Sequence, residues 1–168
     1  MKALLNLFLT GVFVLGMNAA YAQNAKADKK AAQEKQIKNK IDSANYTFKA
    51  NYALPLRGGQ VILTTNNYDL KVNKDTVTAY LPYYGRVYFS PPLNATDAGI
   101  KFTSTKFEYK VTAKKKGGWL IVINFKDTDR STRMTLDVAV NGAATLSSIS
   151  NNRDSITFYG ELLNDNKK

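Results

Sequence analysis

Side chains suited to acid–base, nucleophilic or metal chemistry are few in these 168 residues, because the chain holds neither histidine nor cysteine. Ser-His-Asp and Cys-His catalysis are thereby excluded, as are cysteine-containing zinc sites. Carboxylates and tyrosines remain. Asp69, Glu108 and Asp137 alternate with apolar residues, which places them on the wet faces of predicted strands. A glycosidase-like pair would need two of them within roughly 5 to 9.5 Å. Cross-strand pairing with lysine is the favoured reading of each. Asp127-Thr128-Asp129 offers oxygen atoms to calcium but lacks the rest of a calcium-loop pattern, so it reads as a hairpin turn. Gly58-Gly59 and Gly117-Gly118 open no helix, so they read as turn glycines rather than phosphate cradles. No catalytic residue, metal ligand or cofactor is assigned, and the chain is not read as an enzyme.

The densest candidate for recognition is YLPYYGRVYFSPPL, residues 80–93. Pro82 cannot donate to a sheet ladder and holds Leu81 extended. Tyr83-Tyr84-Gly85 then predicts a corner, with Gly85 free to take positive φ. From Arg86 to Ser90 the pattern alternates again, which predicts a second strand. Two readings follow. In one, Tyr83 and Tyr84 pack over a barrel end, with Arg86 on a ring or a carbonyl. In the other, Tyr80, Tyr83, Tyr84, Arg86 and Tyr88 line an aromatic site with one cation. Such a site suits a sugar, a peptide or an amphiphile with an anionic head.

The elements that must hold this stretch are mostly strands. Residues 24–45 are rich in Ala, Lys, Gln and Glu, and Ile37 and Ile41 are spaced i, i+4. This predicts a helix docking by two isoleucines. From Tyr46 onward the apolar period is two. Tyr46, Phe48, Ala50 and Tyr52 share one predicted face, as do Tyr68, Leu70 and Val72; Val77, Ala79 and Leu81; Phe107, Tyr109 and Val111; Met134, Leu136, Val138 and Val140; and Ile156 and Phe158. WLIVINF, 119–125, is apolar on both faces and is the expected central or doubly covered strand. Turn residues recur about every ten positions. The fold class expected is mainly β: one antiparallel curved sheet or partly open barrel of about nine or ten strands with an N-terminal helix. A two-sheet sandwich is the alternative.

The ends carry their own information. Lys2, an apolar run from Ala3 to Gly16 and Ala20-Tyr21-Ala22 have the order of a secretory signal peptide cleaved after Ala22. The expected organisation is a signal peptide (1–22), a charged frayed extension (23–36), one β-rich domain (37–163) and a disordered tail (164–168). The mature chain then has no membrane span and is periplasmic or secreted. Its net charge is about +10, most of it from lysine. An anionic envelope surface is therefore an expected partner, whereas nucleic acid is not expected for an exported chain. Lysines 114–116 read as a solvated hairpin tip. Two functions are carried forward. The first is a non-catalytic, exported cell-envelope protein that binds an amphiphile (a lipid) or a glycan. The second is a structural or interaction protein of the envelope that uses its basic surface.

YTFKANYALPLRGG, YDLKVNKDTVTAYLPYYGRVYFSPPL, GIKF, GGWLIVINF and NGAATLSSISNNRDSITFYGEL, in that order, resemble an exported Bacteroidetes family classed as domain of unknown function 4251. The resemblance runs from about Ile37 to Leu162. It implies export, a Gram-negative envelope setting and a single domain, and it transfers no catalytic residue. It marks Leu81 to Arg86 and Asn152 to Ile156 as family segments.

Overall fold

The computed structural model describes residues 28–63, 67–88 and 99–163. The leader read at 1–22, Phe89 and Ser90, and the tail at 164–168 lie outside the described residues. The chain divides into two units, Met1–Gln36 and Ile37–Lys168. The described part of the first is helical. The second holds the last turns of the helix α1 (28–42) and every strand among the described residues.

α1 ends on Ala44, which takes the left-handed φ of 47°. Asn45 N–H donates to Lys40 O at 3.0 Å and Ala44 N–H to Ile41 O at 3.1 Å, the paired bonds of a Schellman cap. The cap turns the chain into β1 while Ile37 and Ile41, both 0% exposed, enter the core. Lys40 Nζ donates to the Leu163 carbonyl at 2.7 Å, fixing these turns against the end of the last strand.

Ten strands follow: β1 (Tyr46–Pro55), β2 (Val61–Ile62), β3 (Asp69–Asn73), β4 (Thr76–Leu81), β5 (Ile100–Ser104), β6 (Phe107–Ala113), β7 (Trp119–Phe125), β8 (Arg133–Val138), β9 (Ala143–Ser150) and β10 (Arg153–Leu162). They form one antiparallel sheet in the order β5-β4-β3-β1-β10-β9-β8-β7-β6, with β2 paired to β1. The period-two pattern puts Phe48, Leu70, Ile121, Leu136, Leu146 and Phe158 inside, each fully buried. Curling one apolar face inward nearly closes the sheet, so the barrel-like reading holds and the sandwich does not.

The two edge strands, β5 and β6, are joined by Thr105-Lys106 alone. Asp127 spans this seam. Its carboxylate accepts from the Ser104 hydroxyl and from the N–H groups of Thr105, at 3.0 Å, and Lys106, at 3.1 Å. The rings of Phe102 and Phe125 meet edge to face beneath it, with centroids 4.9 Å apart. The Asp127-Thr128-Asp129 segment is thus a turn and seam element, and Thr128 Oγ1 accepts from Arg130 N–H at 3.2 Å.

Three local expectations are corrected. β7 is second from an edge, not central, and its outer residues Leu120, Val122 and Asn124 are half-buried rather than covered. They lie across from Thr112, Lys110 and Glu108 on one side and Asp137, Thr135 and Arg133 on the other, a pleated surface that aliphatic side chains suit. Tyr52 points outward, 40% exposed. A β-bulge at Asn51, between the pairs Ala50↔Gly160 and Tyr52↔Tyr159, reverses the alternation and sends Ala53 inward. Of the strand expected over 86–90, Phe89 and Ser90 lie outside the described residues; Arg86 to Tyr88 are no strand, and among them Val87 alone makes a ladder bridge, to Arg153.

Candidate functional site

The 82–88 segment is held by β10. β1 leaves β10 after the pair Pro55↔Ile156. Beyond that point the segment takes the vacated edge: Val87 bridges Arg153, Asp154 N–H donates to Arg86 O at 3.0 Å and Tyr88 N–H to Asn152 O at 2.9 Å. On its other side Arg153 pairs with Ser150 of β9. Backbone bonds therefore position Arg86 to Tyr88 at the end of the corner.

Asp154 organises one half of that corner. It is 6% exposed. One carboxylate oxygen accepts from the Tyr88 hydroxyl, and the other from Arg86 N–H at 3.2 Å. The Tyr83 hydroxyl lies 2.8 Å from Arg86 O and 3.0 Å from Asp154 O, two acceptors that share its one proton. The Arg153 guanidinium lies over the Tyr83 ring, 5.0 Å from its centroid. The cation on the Tyr83 ring is therefore Arg153, while Arg86 contributes its backbone here and leaves its side chain exposed. Gly85 does not use the positive φ open to it. It is required for space, because a Cβ there would sit 2.4 Å from the Tyr83 hydroxyl oxygen and 3.1 Å from Asp154 Cβ.

The other half is an exposed aromatic platform on the outer face. Tyr80 is 42% and Tyr84 43% exposed. Tyr80 stacks on Tyr68 with centroids 5.6 Å apart and planes 21° from parallel. Lys101, opposite Tyr80 on β5, holds its ammonium 5.0 Å from the Tyr80 centroid. The Tyr84 hydroxyl is electrostatically coupled to Tyr68; burial first, then this neighbour, raises its pKa. The five residues singled out from sequence thus fall into two groups, Tyr80 with Tyr84 and Tyr83 with Arg86 and Tyr88. The sequence reading missed what joins each group: Tyr68 and Lys101 in the first, Asp154 and Arg153 in the second. Asp154 does lie in the Asn152–Ile156 segment that the resemblance marks.

The electrostatics give a pH prediction. Hydrogen bonding from Tyr88 lowers the Asp154 pKa below 3.8, and bonding from Ser104 does the same for Asp127. A carboxyl depressed in the fold stabilises it fully above the unfolded value, and that contribution is lost as pH falls through the folded value. Tyr83 is pushed the other way, to about 12, first by burial and then by the Asp154 charge; burial also raises Tyr46. Their neutral forms stabilise the fold below pH 10, and this is lost as pH rises towards 12. Urea midpoints should therefore be flat across neutral pH, fall below about pH 4 and fall again above about pH 10. Asp154→Asn should flatten the acid limb. In an ultraviolet absorbance titration, some tyrosines should ionise only as near-ultraviolet dichroism is lost.

The carboxylates considered for catalysis do not converge. Asp69, Glu108 and Asp137 lie on β3, β6 and β8, and each meets a lysine: Lys71, Lys126 and Lys114 respectively. Among the described residues no group of three or more acids is placed to hold a metal ion, and no helix is long and apolar enough to cross a membrane.

The family model described as Domain of unknown function (DUF4251) matches residues 28–162. No curated protein matches the chain. Among solved structures, the chain is similar to a DUF4251 family protein from Bacteroides eggerthii DSM 20697. Identity is 17%, with 83% of this chain and 94% of that one covered, and the TM-score is 0.59. At that identity the likeness establishes a common fold.

Proposed function

The chain belongs to the DUF4251 family, a domain of unknown function, and on that premise we propose that it is a non-catalytic binding protein of the cell envelope. It is exported by its leader and takes an amphiphile or a glycan on the outer corner formed by residues 80–88. The observation that carries this reading is the exposed platform of Tyr80, stacked on Tyr68 and flanked by Lys101, with Tyr84 and Arg86 exposed on the 82–88 segment that follows it in the chain. Ring faces left open to solvent beside cations suit sugar rings or the head region of an amphiphile. The inward side chains of the sheet are themselves buried, whereas this platform is open to solvent, which directs attention to the outside.

The test is native mass spectrometry of the mature protein recovered from its own envelope, beside a Tyr80→Ala/Tyr84→Ala variant. A bound lipid or glycan on the wild type, lost in a variant that melts within about 3 °C of it, supports the reading; exposed substitutions cost little stability. A bare wild-type protein whose envelope association disappears with salt would instead favour the interaction protein acting through its basic surface.

A further inference from the structure

We propose that the ligand of this corner carries a phosphate group, held between the guanidinium groups of Arg57 and Arg86. The inference rests on the binding reading above and names the class of molecule bound.

Three of the chain's five arginines come to this corner from separate parts of the sequence. Arg57 lies two residues past Pro55, the last β1 residue paired with β10. Arg86 is fixed by its N–H on Asp154, and Arg153 by its bridge to Val87. Lysine supplies all but five of the chain's basic residues, so such a gathering of arginine is not a by-product of general basicity.

The three arginines are used differently. Arg153 is 7% exposed and lies over Tyr83, a packing role. Arg57 and Arg86 are exposed, and among the described residues no carboxylate lies within ion-pair distance of either. The nearby acid, Asp154, has its two oxygens on the Tyr88 hydroxyl and the Arg86 N–H, so neutral donors satisfy it. The pair Pro55↔Ile156 brings the start of the Arg57 turn close to Asp154, whose carboxylate holds Arg86 N–H, and both arginine charges lower the Asp154 pKa. Among the described residues, three arginines stand here against one carboxylate. A planar guanidinium fork matches phosphate oxygens two to two, which lysine does not. Tyr88, 55% exposed, offers a ring beside them for the rest of the ligand.

The test is calorimetric titration of the mature chain at low ionic strength with four probes. These are inorganic phosphate, glucose 6-phosphate, phosphatidylcholine vesicles with and without phosphatidic acid, and neutral maltoheptaose. Saturable binding of at least one phosphate-monoester probe is expected, weakened about tenfold or more by Arg57→Gln or Arg86→Gln. Lys110→Gln, which removes the same charge from β6, should leave it within about twofold. Binding only to phosphatidic acid vesicles identifies a lipid source, whereas binding to the soluble phosphates identifies a free or sugar-linked one. If Arg86→Gln fails to fold, Arg57→Gln, past the end of β1, decides.

Equal weakening by Lys110→Gln would overturn the proposal, and so would no phosphate binding. Maltoheptaose binding without phosphate binding sinks this inference and leaves the binding reading standing. Phosphate binding that needs both arginines but ignores Tyr80→Ala/Tyr84→Ala supports the arginine site and removes the tyrosine platform from it.

Discussion

Gly160→Ala is expected to destabilise the fold by about 3 kcal/mol or more, at the upper end of what overpacking costs. A Cβ at this position would lie 1.9 Å from Lys49 O and 3.0 Å from Phe48 Cε2. The carbonyl belongs to Lys49, paired with Glu161 just before the bulge at which β1 changes face. Relief would need β1 to move off β10 in the middle of the sheet. The φ of Gly160 is not in the left-handed region, so the requirement is for space alone. Gly59 is the control: nothing lies within 4 Å of a Cβ there, and Gly59→Ala should stay within about 0.5 kcal/mol. Urea titrations should show a lower midpoint for Gly160→Ala at unchanged slope. A wild-type midpoint would mean that β1 and β10 are not so closely apposed.

That bulge also shows where the sequence stopped being legible. Alternation in β1 reads correctly from Tyr46 to Ala50, and then Tyr52 is assigned to the wrong face. A bulge adds one residue without changing composition, and the bare Gly160 that β1 packs against there is more than a hundred residues away. β9 was hidden for another reason. Its inward positions are Ala144, Leu146 and Ser148, and Ser148 is tolerated inside because its hydroxyl meets Ser131 Oγ at 2.9 Å. An inward serine removes the contrast that period-two reading depends on. The two-sided apolarity of β7 is real, but in a curled sheet it marks a half-covered outer face rather than a central place.

The corner at 80–88 was visible from Pro82 and the density of tyrosine, because both act locally. Its chemistry was not, because Asp154, Arg153 and Arg57 arrive through strand pairing. Gly85 illustrates the limit: sequence permits two reasons for a glycine at a bend, conformation or space, and only the position of the Tyr83 ring selects the second. What turns a set of exposed tyrosines into a structured surface is the edge of β10 that β1 leaves open past Ile156.

Phe158→Ala should cost about 3–5 kcal/mol, the range for deleting a fully buried aromatic ring. Phe158 is 0% exposed and lies between Ala53 on β1 and Leu146 on β9, so on the β1 side the partner lacks the bulk to fill the space left behind. With a domain of this size stable by only about 5–15 kcal/mol, the melting temperature should drop by about 10–20 °C. The variant also separates two places for a ligand. An amphiphile held inside the sheet would share its volume with Phe158, and removing the ring would change its affinity or its chain-length preference. A ligand held on the outer corner, by Tyr80, Tyr84, Arg57 and Arg86, would keep its affinity in the fraction that remains folded. Calorimetry at 10 °C with whichever phosphate probe the wild type binds measures this directly. An unchanged Kd despite the large stability loss places the ligand outside, where the arginines are. An affinity that moves with Phe158 would return it to the interior and leave the aromatic corner as the device that closes the sheet's end.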